Sequence, residues 1–251
     1  MSSVYQSLKE EAFEANLEIP KRGLAIYTWG NVSAFDKAKG VFAIKPSGVP
    51  YDTMTVEDIV VVDLDLKKVE GKLNPSSDTP THAQLYKNFA DIGGVTHTHS
   101  PHATAWAQAC RSIPLLGTTH ADHSANEVPC TPMISKEAVE RAYEDETGIL
   151  IVNTFLHPEK VNACDNNGVI RKPLVPSENP MVLVAGHGPF TWGANAAKSV
   201  YNAAVLEEIA RMAWITMAVN PLFKPLPEYV VNKHYQRKHG KNAYYGQSSS
   251  K

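Results

Sequence analysis

Short apolar runs of strand length alternate with stretches of helical periodicity along the whole chain. That alternation restricts the protein to an α/β or α+β fold. The runs that read as strands are AIYTW at 25–29, VFAIKP at 41–46, IVVVDLD at 59–65, GGVTHTH at 93–99, ILIVNTF at 149–155 and the run that opens at Pro180. Helical patterns fill 3–18, 79–90, 101–109, 135–146 and 194–218. Pro20 and Gly23 close the first of these, and Pro80 and Pro101 suit first turns. TVED at 55–58 has the Thr and Asp of a capping box and reads as a short helix. Residues 67–72 read as a turn, PLLGTTHAD as a strand or extended loop, and HGPFTWG at 187–193 as a Gly-rich turn after a strand. The tail beyond Pro221 is Pro-rich and then basic. The pattern does not give the strand order.

A chain of 251 residues is long enough for a sizeable core and short enough for one domain. A net charge of −2 gives no reason to expect nucleic acid or an anionic membrane as partner. A local cluster of donors can still bind a small anion. Cys110, Cys130 and Cys164 lack C-x-x-C spacing and read as reduced thiols. No apolar run approaches the roughly 18 residues of a membrane span. The first twenty residues carry acids where a signal peptide has its apolar core. The expected location is the cytoplasm.

His97 and His99 stand one residue apart in a strand-like run, where side chains two apart point to one side. His187 ends another apolar run between Gly186 and Gly188, which permit a tight bend. Asp78 lies just ahead of a helix and can add an oxygen. Such donors suit zinc, and also manganese or cobalt. Taken singly, the histidine pair reads as polar surface and Asp78 as a helix cap. Three short turns, Gly30–Asn31, Pro46–Ser47–Gly48 and Ser76–Ser77, offer the N–H groups and small donors of a phosphate nest. Ser76 and Ser77 precede a helix N-terminus, and Lys45 adds a positive charge. The same residue types are also ordinary turn formers.

These residues sit in longer motifs. TWGNVSAFD at 28–36, IKPSGV at 44–49, PSSDTPTH at 75–82, HTHSPHA at 97–103, GTTHAD at 117–122 and HGPFTWG at 187–193 resemble the class II aldolase/adducin family. The chain is most like the members that act on a phosphorylated pentulose, and its tail KHYQRKHGKNAYYGQ at 233–247 shares that likeness. The resemblance runs from about residue 5 to residue 247. It implies one α/β/α three-layer domain over 1–251 with a largely antiparallel central sheet and a C-terminal arm at about 225–251. It implies a homotetramer of fourfold symmetry with active sites between neighbouring subunits, and one divalent ion per chain, usually Zn2+.

The activity implied is epimerisation at C4 of L-ribulose 5-phosphate to D-xylulose 5-phosphate. The C3–C4 bond is cleaved to an enediolate and an aldehyde, and is then remade on the other face of the aldehyde. By the same resemblance, Asp78, His97, His99 and His187 stand at the metal-ligand positions. Asn31, Lys45, Gly48, Ser76 and Ser77 stand at the phosphate positions. Asp122 and Tyr245 stand at the opposing acid/base positions. His234 is a supporting histidine, and Thr118 and Glu146 lie near the catalytic carboxylate and the pocket. Ala185–Gly186 stands where relatives often have a His or Ser before the metal histidine. Two alternatives remain open: a sugar-phosphate aldolase of the same family, which tends to carry Glu where Asp78 stands, and a scaffold of the adducin type, which would be expected to lose the metal ligands.

Overall fold

The structure is a computed structural model that describes residues 3–241 together with 243 and 244. Seven strands form one sheet: β1 (Asn31–Asp36), β2 (Val41–Ile44), β3 (Val60–Asp63), β4 (Lys68–Glu70), β5 (Gly94–His97), β6 (Met181–Val184) and β7 (Gly188–Gly193). Their order is β4-β3-β2-β1-β5-β7-β6, and every neighbouring pair is antiparallel. The helices are α1 (Gln6–Lys21), α2 (Thr79–Asn88), α3 (Pro101–Gln108), α4 (Thr118–Ala121), α5 (Lys136–Leu156), α6 (Ala196–Val219) and α7 (Glu228–His239).

Strands β2 and β3 are apolar at nearly every position because both faces of the sheet are covered. Phe42, Ile44, Val60 and Val62 face α2 and α5, where they meet Leu85, Phe89, Ile151 and Phe155. Val41, Ala43 and Val61 point the other way, onto Ala12, Ala15 and Ile19 of α1 and Val200 of α6. A third cluster joins α3 and α6 to β6. The result is the expected α/β/α three-layer fold with an antiparallel sheet.

Several local expectations change. Residues 25–29 do not form a strand. Tyr27 has a left-handed φ of 53° and Gly30 one of 76°, so the chain turns there and pairing begins only at Asn31. Residues 149–155 are helical, not extended. Ile151, Val152 and Phe155 pack on α2 as the continuation of α5, and a short apolar run does not by itself distinguish a buried helix from a strand. HGPFTWG is mostly strand β7, the 67–72 turn contains β4, and the single helical turn α4 replaces the extended reading of GTTHA. The basic tail holds α7, which had no sequence expectation. The short helix at 56–58 forms as expected, with the Asp58 carboxylate accepting from the Thr55 N–H at 2.8 Å.

Asn16, fully buried on α1, locks this layer to the sheet at the start of β1. Its side chain accepts from the Val32 N–H at 2.8 Å and donates to the Val32 carbonyl at 2.8 Å and the Ala12 carbonyl at 2.7 Å. β2 pairs only from Ser33 onward, so Asn16 stands in for the missing strand partner. Asn16→Ala leaves those backbone groups buried and unpaired, with an expected loss of about 2–3 kcal/mol in urea unfolding.

Candidate metal centre and active site

The site forms where β1, β5 and β7 end side by side. Asn31 is directly opposite His97, and His97 is opposite Phe190, so adjacent strands deliver these three side chains to one end of the sheet. The His97 ring stacks on Phe190 with centroids 4.2 Å apart. Its Nδ1 lies 3.0 Å from the Pro189 carbonyl, which only accepts, so Nδ1 carries the proton and Nε2 presents a lone pair. His99 lies just past the strand, and its Nε2 is 3.1 Å from that of His97. Two ligands of one tetrahedral zinc stand about 3.3 Å apart, given Zn–N bonds of about 2.0–2.1 Å. His187 comes from the β6–β7 turn, where Gly186 takes a φ of 70°. One ring nitrogen from each of the three histidines falls within 4.8 Å of the others. The donor set thus fits a divalent ion.

Asp78 occupies the N-cap position of α2, yet its side chain makes no capping hydrogen bond. Its carboxylate instead accepts from Asn31 Nδ2 at 2.6 Å, and Asn31 also donates to Ser76 Oγ at 3.1 Å. The plain reading of Asp78 as a cap therefore fails. Burial raises the Asp78 carboxyl, but His97, His82 and the Asn31 hydrogen bond outweigh it and keep it below the usual carboxylate range. Burial pushes His187 down to about 4 and also lowers His99. Both imidazoles are then neutral near pH 7 and offer lone pairs.

One open cavity of about 590 Å³ takes in His97, His99, His187 and Asp78. It also takes in Asn31, Lys45, Gly48, Ser76 and Ser77, so the expected metal and phosphate positions share one wall system. Lys45 is 1% exposed, with Nζ 2.7 Å from the Val49 carbonyl, and burial pushes it down to about 8.

Thr118, Asp122 and His234 lie elsewhere. Among the described residues they do not line this cavity. Asp122 Oδ1 lies 3.0 Å from both His234 Nδ1 and Arg237 Nε, and its Oδ2 lies 2.5 Å from a terminal nitrogen of Arg237 and 3.5 Å from Lys238 Nζ. Burial raises that carboxyl, and the bonds from Arg237 and His234 more than reverse the effect. Tyr245 lies outside the described residues. Glu146 does not reach the cavity either. It pairs with Arg141 at 2.6 Å, while Tyr143 and Glu144 line the wall. The backbone of α5 breaks at Ala142 (φ −170°, ψ 81°), immediately before those two residues. Tyr143 Oη lies 3.4 Å from His187 Nδ1.

Sequence reading also missed His82. It is fully buried beneath the site, with Nδ1 2.7 Å from Ser33 Oγ, and burial pushes it down to about 3. The Asp78-x-x-x-His82 spacing on one helix face was the available signal.

A family model described as the class II aldolase and adducin N-terminal domain matches residues 10–214. The chain belongs to the class II aldolase and adducin family. It is 51% identical over 242 residues, 96% of this chain and 99% of the relative, to the L-ribulose-5-phosphate 4-epimerase UlaF of Salmonella paratyphi B. The protein of the same name from Salmonella typhi matches to the same extent. Among solved structures, an L-fuculose 1-phosphate aldolase superposes with a TM-score of 0.71 at 23% identity, covering 94% of this chain and 97% of that one. The L-fuculose-1-phosphate aldolase of Thermus thermophilus gives 0.60 at 21%, covering 87% and 98%. These structures share the fold. No helix among the described residues is long and apolar enough to cross a membrane.

Elemental analysis is expected to find about one divalent ion per chain, lost in His97→Ala and His99→Ala. The metal-free protein has a further signature. His82 and His187 resist protonation when folded, while an unfolded imidazole titrates near 6.5. The unfolded chain therefore takes up protons first. Stability is full above about pH 6.5 and falls toward pH 4, measured by urea midpoints across that range.

Proposed function

We propose that this protein is an L-ribulose-5-phosphate 4-epimerase that inverts C4 by cleaving and remaking the C3–C4 bond, with zinc as its divalent ion. The observation that carries the reading is the 51% identity, over nearly the full length of both chains, to curated proteins of that name. Three converging imidazoles beside Asp78 in one cavity support it.

His97, His99, His187 and Asp78 would hold the ion. Manganese or cobalt would also suit this set. A divalent ion there supplies Lewis acidity that absorbs the charge developing on the ketose oxygens as the bond breaks. Asn31, Lys45, Gly48, Ser76 and Ser77 bind the phosphate. Lys45 suits that task because its buried ammonium contacts backbone carbonyls and meets no carboxylate among the described residues. Of the two glutamates near the kink, Glu144 is placed to act in the cavity and Glu146 holds Arg141.

Epimerisation needs a proton acceptor and a proton donor on opposite faces of the aldehyde. Asp122 and Tyr245 fill those roles, with His234 and Thr118 beside Asp122. Asp122 and His234 bond to each other away from their own chain's cavity. They therefore serve the cavity of a neighbouring subunit in a homotetramer, and the arm at about 225–251 carries His234 and Tyr245 to it. The enzyme works in the cytoplasm.

Purified protein incubated with L-ribulose 5-phosphate is expected to yield D-xylulose 5-phosphate with little free glycolaldehyde phosphate. Free aldehyde in excess of epimer, followed by proton NMR, would favour an aldolase instead. Asp122→Asn should lower turnover by about 10²–10⁴-fold while leaving metal content unchanged. Mixing refolded Asp122→Asn and His97→Ala chains should restore part of the activity through hybrid sites. No recovery in confirmed mixed oligomers would count against shared sites.

A further inference from the structure

The cavity is lined mainly by polar residues, and among the described residues Trp29, with Tyr143 and Pro46, supplies its larger apolar surfaces. Trp29 lines the cavity with its ring edge toward His99, the centroids being 6.3 Å apart. It remains 54% exposed, so packing in its own chain does not account for the choice of residue. The loop that presents it is held firmly. The Trp29 N–H donates to the Ile26 carbonyl at 3.0 Å. The Tyr51 hydroxyl lies 2.8 Å from the Trp29 carbonyl and 2.9 Å from that of Gly30, and its proton serves both. Tyr27 takes a left-handed φ of 53°, unusual for a bulky residue. At Gly30, φ is 76° and a Cβ would meet the His97 carbonyl at 2.7 Å, so only glycine lets the loop lie against the metal strand. Backbone strain and close packing thus hold the loop that presents an exposed indole beside His99.

On the epimerase reading above, which this inference rests on, such a wall has a specific task. The C4 hydroxyl gives its proton to a base and the C3–C4 bond breaks. The bonding pair stays with C3 as an enediolate, and C4 becomes an aldehyde. The aldehyde must then turn over and accept the same pair on its other face. An aldolase releases that aldehyde, whereas an epimerase must retain it and keep water from hydrating it. Polar walls favour water, and an indole excludes it. We propose that Trp29 is the residue that sets the partition between re-addition and release, by closing the cavity over the cleaved aldehyde. It is a positioning residue and takes no part in proton transfer.

The test uses the full-length, metal-loaded protein as wild type, Trp29→Ala and Trp29→Phe, each incubated with L-ribulose 5-phosphate. Proton NMR follows D-xylulose 5-phosphate and free glycolaldehyde phosphate, and elemental analysis and circular dichroism check metal and fold. Trp29→Ala is expected to raise the ratio of free aldehyde to epimer about tenfold, equivalent to ~1.4 kcal/mol in partition. Trp29→Phe should stay near wild type. Trp29→Leu, shorter but still apolar, gives the same comparison if Trp29→Ala loses structure, with an intermediate ratio expected. A wild type that epimerises beside small-residue variants with an unchanged ratio overturns the role of Trp29 alone, whatever their total rate. A wild type that forms no D-xylulose 5-phosphate overturns the epimerase reading, and this inference with it.

Discussion

The hydrogen bond from His97 Nδ1 to the Pro189 carbonyl is the interaction on which the site depends. It joins the end of β5 to the start of β7, in register with the His97–Phe190 pair. It also sets the tautomer that turns Nε2 toward His99 and His187. Close packing behind it leaves little freedom. Gly94 begins the same strand, and a Cβ there would approach backbone atoms of α6 to 2.4 Å. β5 therefore lies directly under α6, and its far end, with His97, cannot drift. Asn31 is positioned by the same sheet on the other side of His97, and it hands that order to Asp78 and Ser76. The wall of histidines and the wall of Asn31, Ser76 and Asp78 thus share one backbone framework.

The α/β/α arrangement was legible because both faces of β2 and β3 are buried, which makes the strands stand out as apolar runs. The cavity group was legible because its residues lie in strand ends and turns whose motifs resemble a known family. The errors have physical causes. At 25–29 an apolar run suggested a strand, but Ile26, Tyr27 and Trp29 are exposed, and Thr28 and Trp29 line the cavity. At 149–155 β-branched residues suggested a strand, but they bury against α2 within a helix that crosses Gly148. A Cβ at Gly148 would come within 2.6 Å of Gln84, so glycine there allows the two helices to approach. The break at Ala142 has no cue in residue type, which is why Tyr143 and Glu144 escaped notice.

His82 closes the PSSDTPTH motif, yet its role was not legible, because a buried histidine on a helix looks like core. It touches Ser33, whose hydroxyl also meets Tyr86 at 2.6 Å. This polar chain runs from α2 into the middle of β1, between the apolar layers. Its histidine stays neutral through burial, so it adds no charge under the metal site. That neutrality matters, since a cation there would oppose a divalent ion a short distance away.

Asp122 presents the opposite case. Arg237, His234 and Lys238 surround it, and they keep it ionised through most of the pH range in which an enzyme works. An ionised carboxylate is ready to accept a proton but has none to give. A group that serves one epimer as base must serve the other as acid, because the reverse reaction runs through the same transition state. In the proposed mechanism the proton therefore needs somewhere to rest when Asp122 is charged. His234 is the suitable neighbour, since its Nδ1 is 3.0 Å from the carboxylate and a ring nitrogen can both take up and give back a proton. The pair can hold one proton between them, with Arg237 fixing the carboxylate in a two-pronged grip while the proton moves. The side chains of α7 that hold Asp122 ionised thus suit it to accept a proton in that mechanism, and His234 within the same group offers the second proton-carrying atom.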